Sequence, residues 1–127
     1  MTASGGPMFT AHCCCRDCQR VTGSGHSTLV VFPDEAVVIA GETAKYESAS
    51  DSGNLVTRYF CATCGSRIGS RNTGFPGRIG LHAGLFDEPS LFDPKLVCYA
   101  SRRVAWDLFD DELPAFDAMP PRRNRDS

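Results

Sequence analysis

The sequence predicts an all-β fold with only short helical turns, and three observations carry that expectation. From residue 28 onward the chain breaks into short β-branched or aromatic runs, turn residues punctuate those runs, and no window of helical length holds a sustained apolar stripe. Residues 1–11 are small, polar and Gly-rich, and read as a flexible lead-in with Met8 and Phe9 as its anchors. A helical turn is expected at residues 16–21, directly after the first cysteine cluster. Strands are then expected at 28–32, 36–40, 44–48, 55–60, 78–86 and 95–101. Pro33-Asp34 and Gly41-Glu42 bound the second of these. Asp51-Ser52-Gly53-Asn54 reads as a hairpin loop and Phe75-Pro76-Gly77 as a further turn, so several strands are expected to be antiparallel neighbours. The body is read as one domain over residues 12–118, followed by a disordered basic tail at 119–127 that carries Arg122, Arg123 and Arg125.

Composition narrows the function classes. The chain has 127 residues, 42% hydrophobic and 22% charged, which suits one globular domain. Thirteen basic and 15 acidic residues leave a formal charge of −2, so no general attraction to nucleic acid or an anionic membrane is expected. Its apolar runs fall well short of the ~20 residues that span a bilayer. With neither a basic start nor an apolar run in residues 1–12, a cytoplasmic location is expected.

Seven cysteines are the anomaly, because a reducing compartment disfavours disulfides and leaves zinc or thiol chemistry as the first explanation. Two C-x-x-C knuckles occur, Cys15-Arg16-Asp17-Cys18 and Cys61-Ala62-Thr63-Cys64, and Cys13 lies two residues ahead of the first. A C-x-x-C turn lets two thiolates converge on one ion, and Gly65 after Cys64 supplies the backbone freedom such a turn uses. A thioredoxin-like redox pair would need a βαβ context, whereas the region around Cys61 is β-like. Spacing allows two arrangements. One is a closed four-cysteine site from Cys15, Cys18, Cys61 and Cys64; the other places Cys13, Cys15 and Cys18 around an ion with a fourth position open. Cys98 reads as a core residue.

Taken together, Cys13-x-Cys15-Arg16-Asp17-Cys18-Gln19-Arg20-Val21-Thr22-Gly23 resembles the C-H-C-x-x-C-R-x-x-T-G segment of the glutathione-dependent formaldehyde-activating enzyme family, which includes centromere protein V. Phe32-Pro33, Arg58 to Ser66, Gly84 to Pro89, and Trp106 ahead of Leu113-Pro114-Ala115-Phe116 come in the family's order. The resemblance implies twisted antiparallel sheets of the β-tent type and a three-thiolate zinc at Cys13, Cys15 and Cys18. It also implies a structural four-thiolate zinc that combines an opening C-x-C with Cys61 and Cys64. Residues 1–12 hold no cysteine, so the chain reads as an N-terminally shortened member with one or two Zn2+ per chain. Either an opening segment is lost, or Cys61 and Cys64 join the cluster at Cys13 to Cys18. Cys14 replaces the family's usual His.

The function expected from this resemblance is a zinc-dependent carbon–sulfur lyase acting on a small, glutathione-like thiol and a formaldehyde-type adduct. Cys13, Cys15 and Cys18 would form its catalytic metal site, with Arg20 and Thr22 facing a substrate carboxylate. The alternative is a non-catalytic, zinc-stabilised binding module with a single four-cysteine site, whose saturated metal is chemically quiet. Of the other candidates, His12 adjoins Cys13, while His26, His82 and Arg58 read as ordinary polar positions and Trp106 as a packing anchor. An unpaired edge strand would favour a homodimer.

Overall fold

The computed structural model describes residues 1–50 and 52–120. Its described residues contain nine strands, one α-helix and four 3-10 turns, a mainly β protein as expected. None of the helices among them is long and apolar enough to cross a membrane. Contacts divide the chain into two compact units, each assembled from two stretches of sequence.

The first unit combines Met1–Thr10 with Leu29–Asp93. Strand β1 (Thr2–Ala3) pairs antiparallel with β4 (Val37–Val38). A longer antiparallel ladder runs in the order β5 (Thr43–Ala49), β6 (Leu55–Cys61), β7 (Arg67–Asn72), β8 (Arg78–His82) and β3 (Ser27–Pro33). Strand alternation builds its core: Ile79 and Leu81 share one face of β8, both with no exposed surface, and meet Val30, Phe32, Ile68 and Ala83. At the outer edge, β5 is mostly exposed and carries Lys45 and Glu47, charges that blunt an unpaired edge.

Pairing explains where the observed strands depart from the expected ones. Strand β7 is not among those expected, since Arg-Ile-Gly-Ser-Arg-Asn lacks an apolar alternation; hydrogen-bonded neighbours on both sides supply what its side chains do not. The run at 36–40 is only the two-residue β4, preceded by a 3-10 turn at Asp34–Ala36. Arg71 clasps the Asp34 carboxylate (2.9 and 2.6 Å) and the Asp34 N–H reaches the Gly77 carbonyl, which turns the chain before a strand can extend. The run at 78–86 stops at His82 and continues as a 3-10 turn, Ala83–Leu85. Residues 1–11, read as a loose lead-in, contribute β1 and the start of β2 (Phe9–Cys13), with Thr10 and Ala11 buried and the Met8 N–H bonded to the Val31 carbonyl. The basic tail expected at 119–127 lies outside the described residues from position 121 on.

Gly69 lies in the β7–β8 pairing, opposite Leu81. A Cβ built there would lie 2.1 Å from the Gly80 carbonyl oxygen, a backbone atom that cannot move without breaking the ladder. Gly69→Ala is therefore expected to destabilise the protein by about 3 kcal/mol, read as a lower denaturant midpoint at unchanged m-value.

The second unit combines Ala11–Thr28 with the chain from Pro94 onward. Here β2 pairs in parallel with β9 (Leu96–Cys98), placing Cys13 opposite Cys98. The segment 114–118 runs along β9: the Val97 N–H donates to the Pro114 carbonyl (2.8 Å) and the Phe116 N–H donates to the Val97 carbonyl (2.9 Å). Tyr99, at φ 54°, ends β9 and turns the chain into a 3-10 turn, Ala100–Arg102, which is why the run expected to reach residue 101 is short. Helix α1 (Arg16–Thr22) comes directly after β2, as expected from the sequence.

Candidate metal centre

Three cysteines meet where β2 passes into α1. Cys13 is the last residue of β2 and is buried. Cys15 is the N-cap of α1, with extended backbone, and its sulfur accepts the Cys18 N–H at 3.3 Å. Cys18 lies three residues further, one helical turn on, so its sulfur returns to the same side as that of Cys15. The three sulfurs all lie within 4.8 Å of one another. Sulfurs around a tetrahedral zinc at 2.3 Å are about 3.8 Å apart, so small side-chain adjustments gather these three onto an ion. They form the one group of three or more metal-ligating side chains among the described residues.

A seven-residue helix needs anchors, and α1 has one at each end and one in the middle. Gly23, at φ 69°, closes the last turn, its N–H bonded to the Gln19 carbonyl. Gln19 is buried and its amide donates to the carbonyls of Cys14 and Arg102, both at 3.0 Å, while Arg16 bonds its side-chain oxygen. These contacts hold the cysteine pair of α1 against the end of β2.

The thiols are strongly unlike one another. Cys15 is held down to about 2, first by the Cys13 and Cys18 thiols that donate into it and then by the backbone N–H groups of Cys18 and Asp17, which together outweigh burial. Cys13 is pushed far above the ordinary thiol range because its proton is engaged by Cys15 and then Cys18, and because it is buried. For Cys18, the bond with Cys13 pulls down, but Cys15 and burial push harder and leave it at about 12. Without metal the trio therefore carries one negative charge at neutral pH, on Cys15, held by two S–H groups.

Around them lie two buried, neutral thiols. Cys14 has no exposed surface, and burial raises it. Cys98 is 2% exposed and pushed up to about 12, mainly by burial, which agrees with its reading as a core residue.

Cys61 and Cys64 belong to the first unit. Cys61 ends β6, and its sulfur accepts the Thr63 N–H at 3.4 Å. The Gly65 N–H returns to the Cys61 carbonyl, with Gly65 at φ 78°, and the Cys64 sulfur lies 3.1 Å from the Ser66 hydroxyl. Backbone N–H groups of Cys64 and Thr63 lower the Cys61 thiol. The pair thus has the local form of a metal knuckle, while the three-sulfur group is complete without it.

Arg20 and Thr22 are exposed at the far end of α1, where the Thr22 hydroxyl donates to the Cys18 carbonyl at 2.8 Å. Arg58 bonds the Ser48 hydroxyl at 2.9 Å, and His82 is lowered by burial and then by Arg67. Trp106 does not anchor packing: it is 70% exposed, and the residue its segment buries is Asp107.

Asp107 belongs to a group that the sequence did not announce. Its carboxylate lies 2.5 Å from His26 Nδ1, the His26 and His12 rings meet edge to face at 4.5 Å, and Phe109 packs against both. Arg103 covers Phe109 at 4.1 Å and pairs with Asp111. Burial lowers His12, His26 lowers it further, and Asp107 offsets part of this. Since successive strand residues face opposite sides, His12 places this group behind β2, on the side away from Cys13. Gly25 leaves room for it: a Cβ there would lie 2.4 Å from the Asp107 carboxylate.

Three converging thiols, with no fourth ligand grouped with them among the described residues, give this small β protein the donor set of an unsaturated metal–thiolate centre. The profile of the family described as glutathione-dependent formaldehyde-activating enzyme matches residues 1–102. The chain belongs to that family, in agreement with the resemblance carried by its cysteine segment.

Proposed function

We propose that the protein is a zinc-dependent enzyme of carbon–sulfur bond chemistry, acting on a small thiol of the glutathione class and its aldehyde adduct. The observation that carries this reading is the group formed by Cys13, Cys15 and Cys18, a three-sulfur donor set that leaves a tetrahedral ion one position for a substrate. Zinc held there would supply a substrate thiol as thiolate at neutral pH. In the addition direction, the substrate sulfur forms a bond to the carbonyl carbon, the carbonyl π pair moves to oxygen, and that oxygen takes the proton the thiol gave up. The reverse step is the lyase reaction.

The chain's own residues serve this chemistry by position. Cys15 already holds a negative charge toward the metal, and Gln19 fixes the helix that carries Cys15 and Cys18. Arg20, exposed beyond the trio on α1, supplies a cation for the carboxylate end of a glutathione-like thiol, and Thr22 joins it by turning its hydroxyl away from the Cys18 carbonyl. Such a thiol is abundant in the reducing cytoplasm, the compartment this reading expects.

Cobalt-substituted protein titrated with glutathione tests the proposal. Millimolar glutathione is expected to add a sulfur-to-metal absorption band and to change coordination from three sulfurs plus a light atom to four sulfurs. A resting site with four protein sulfurs and no response to glutathione would favour the saturated binding module instead.

A further inference from the structure

Ser27 opens β3 in the second unit and is 1% exposed. Its hydroxyl has no hydrogen-bond partner among the described residues, an exceptional condition for a fully buried polar group. The Cys18 thiol lies near enough for the Ser27 hydroxyl to lower it, short of a formed hydrogen bond. A neutral thiol is a weak acceptor, and a thiolate is a strong one. The hydroxyl is therefore poorly used while Cys18 keeps its proton and well used once Cys18 binds a metal, because metal binding requires the thiolate. Cys15 differs in this respect, since it already accepts from the Cys13 and Cys18 thiols and from backbone N–H groups. Ser27 is a buried, unpartnered hydroxyl beside the centre.

We propose that Ser27 is a positioning residue of the metal centre, donating its hydroxyl proton to the Cys18 thiolate when metal is bound. Its hydrogen bond draws charge from that sulfur and fixes its direction, so Cys18 stays on the ion when a thiol substrate enters the remaining position. The inference rests on the metal-holding role of Cys13, Cys15 and Cys18, and not on the thiol–aldehyde reaction.

Ser27→Ala and Ser27→Thr, each compared with the parent full-length protein, test it by zinc affinity, cobalt absorption and the melting temperature of metal-free protein. Ser27→Ala is expected to lower zinc affinity about 10- to 100-fold and to move the sulfur-to-cobalt band to lower energy. It is also expected to leave the metal-free melting temperature unchanged or raised, because it deletes a buried hydroxyl that lacks a good partner. Ser27→Thr keeps the hydroxyl and is expected to retain the parent's cobalt band position. Unchanged zinc affinity and cobalt band in Ser27→Ala would overturn the proposal, as would an equal loss of melting temperature with and without metal, the mark of a packing role. Parent protein that takes up no zinc would overturn both this inference and the metal reading, whereas a zinc-loaded protein indifferent to glutathione would overturn the proposed function alone.

Discussion

Cys15→Ser is expected to lower zinc affinity about a thousandfold while keeping the N-cap of α1 in the metal-free protein. Zinc bound by cysteine and histidine ligands in small peptides has an apparent binding free energy of about 10–16 kcal/mol, so one thiolate of a ligand set accounts for roughly 4 kcal/mol, or three decades. Serine separates that loss from a structural one. Cys15 caps α1 through its sulfur, and serine is a better cap than cysteine, so the helix keeps its N-terminal partner while the metal loses a ligand. Cys15→Ala would remove both, adding about 1 kcal/mol of instability to the metal-free form. Cys64→Ser provides the contrast, since the three-sulfur group does not include it and its affinity for zinc is expected to be untouched. Competition against a chelating dye, with denaturant melts of the metal-free variants, measures both quantities. A loss in Cys64→Ser equal to that in Cys15→Ser would establish a merged four-cysteine site.

Zinc affinity is also expected to rise about a hundredfold for each pH unit between roughly pH 6 and 8. The sign comes from the proton inventory of the metal-free trio. Cys15 is depressed to about 2 and already lacks its proton at these pH values. Cys18 is raised to about 12 and Cys13 is raised further, so both are protonated throughout. Binding as three thiolates releases two protons, and raising the pH removes the competitor, so affinity increases with pH at a slope of two. Calorimetry in buffers of differing ionisation heat counts those protons directly. Release of three would mean that Cys15 is not the charged member, and release of none that the cysteines are not the ligands.

How much of this was legible in the chain depends on the range of each signal. The trio was one of two arrangements that spacing allowed, favoured by the family resemblance, and α1 was legible because it comes immediately after the cysteines. Strands β5, β6 and the start of β8 were legible from β-rich runs bounded by Gly and Pro. Strand β7 was not, because its stability comes from β6 and β8 and not from its own polar side chains. The ends of the runs at 78–86 and 95–101 were overextended, since a 3-10 turn and the left-handed Tyr99 leave no mark in hydropathy. Asp107 and His26 are far apart in the chain, and no periodicity connects them; burial of an aspartate between an exposed tryptophan and an exposed leucine runs against composition altogether. Gly25 and Asp107 fit as notch and occupant only once the chain has folded.

The family profile matches the chain as far as residue 102, and residues beyond that point close the second unit. Segment 114–118 supplies hydrogen bonds to both sides of Val97, and Asp107 and Phe109 cover the two histidines behind Cys13. The matched stretch and the second unit therefore end at different residues. A fragment trimmed to the related stretch would keep every cysteine and lose the lining at their back, and its thiols would sit on a strand with one neighbour's support removed.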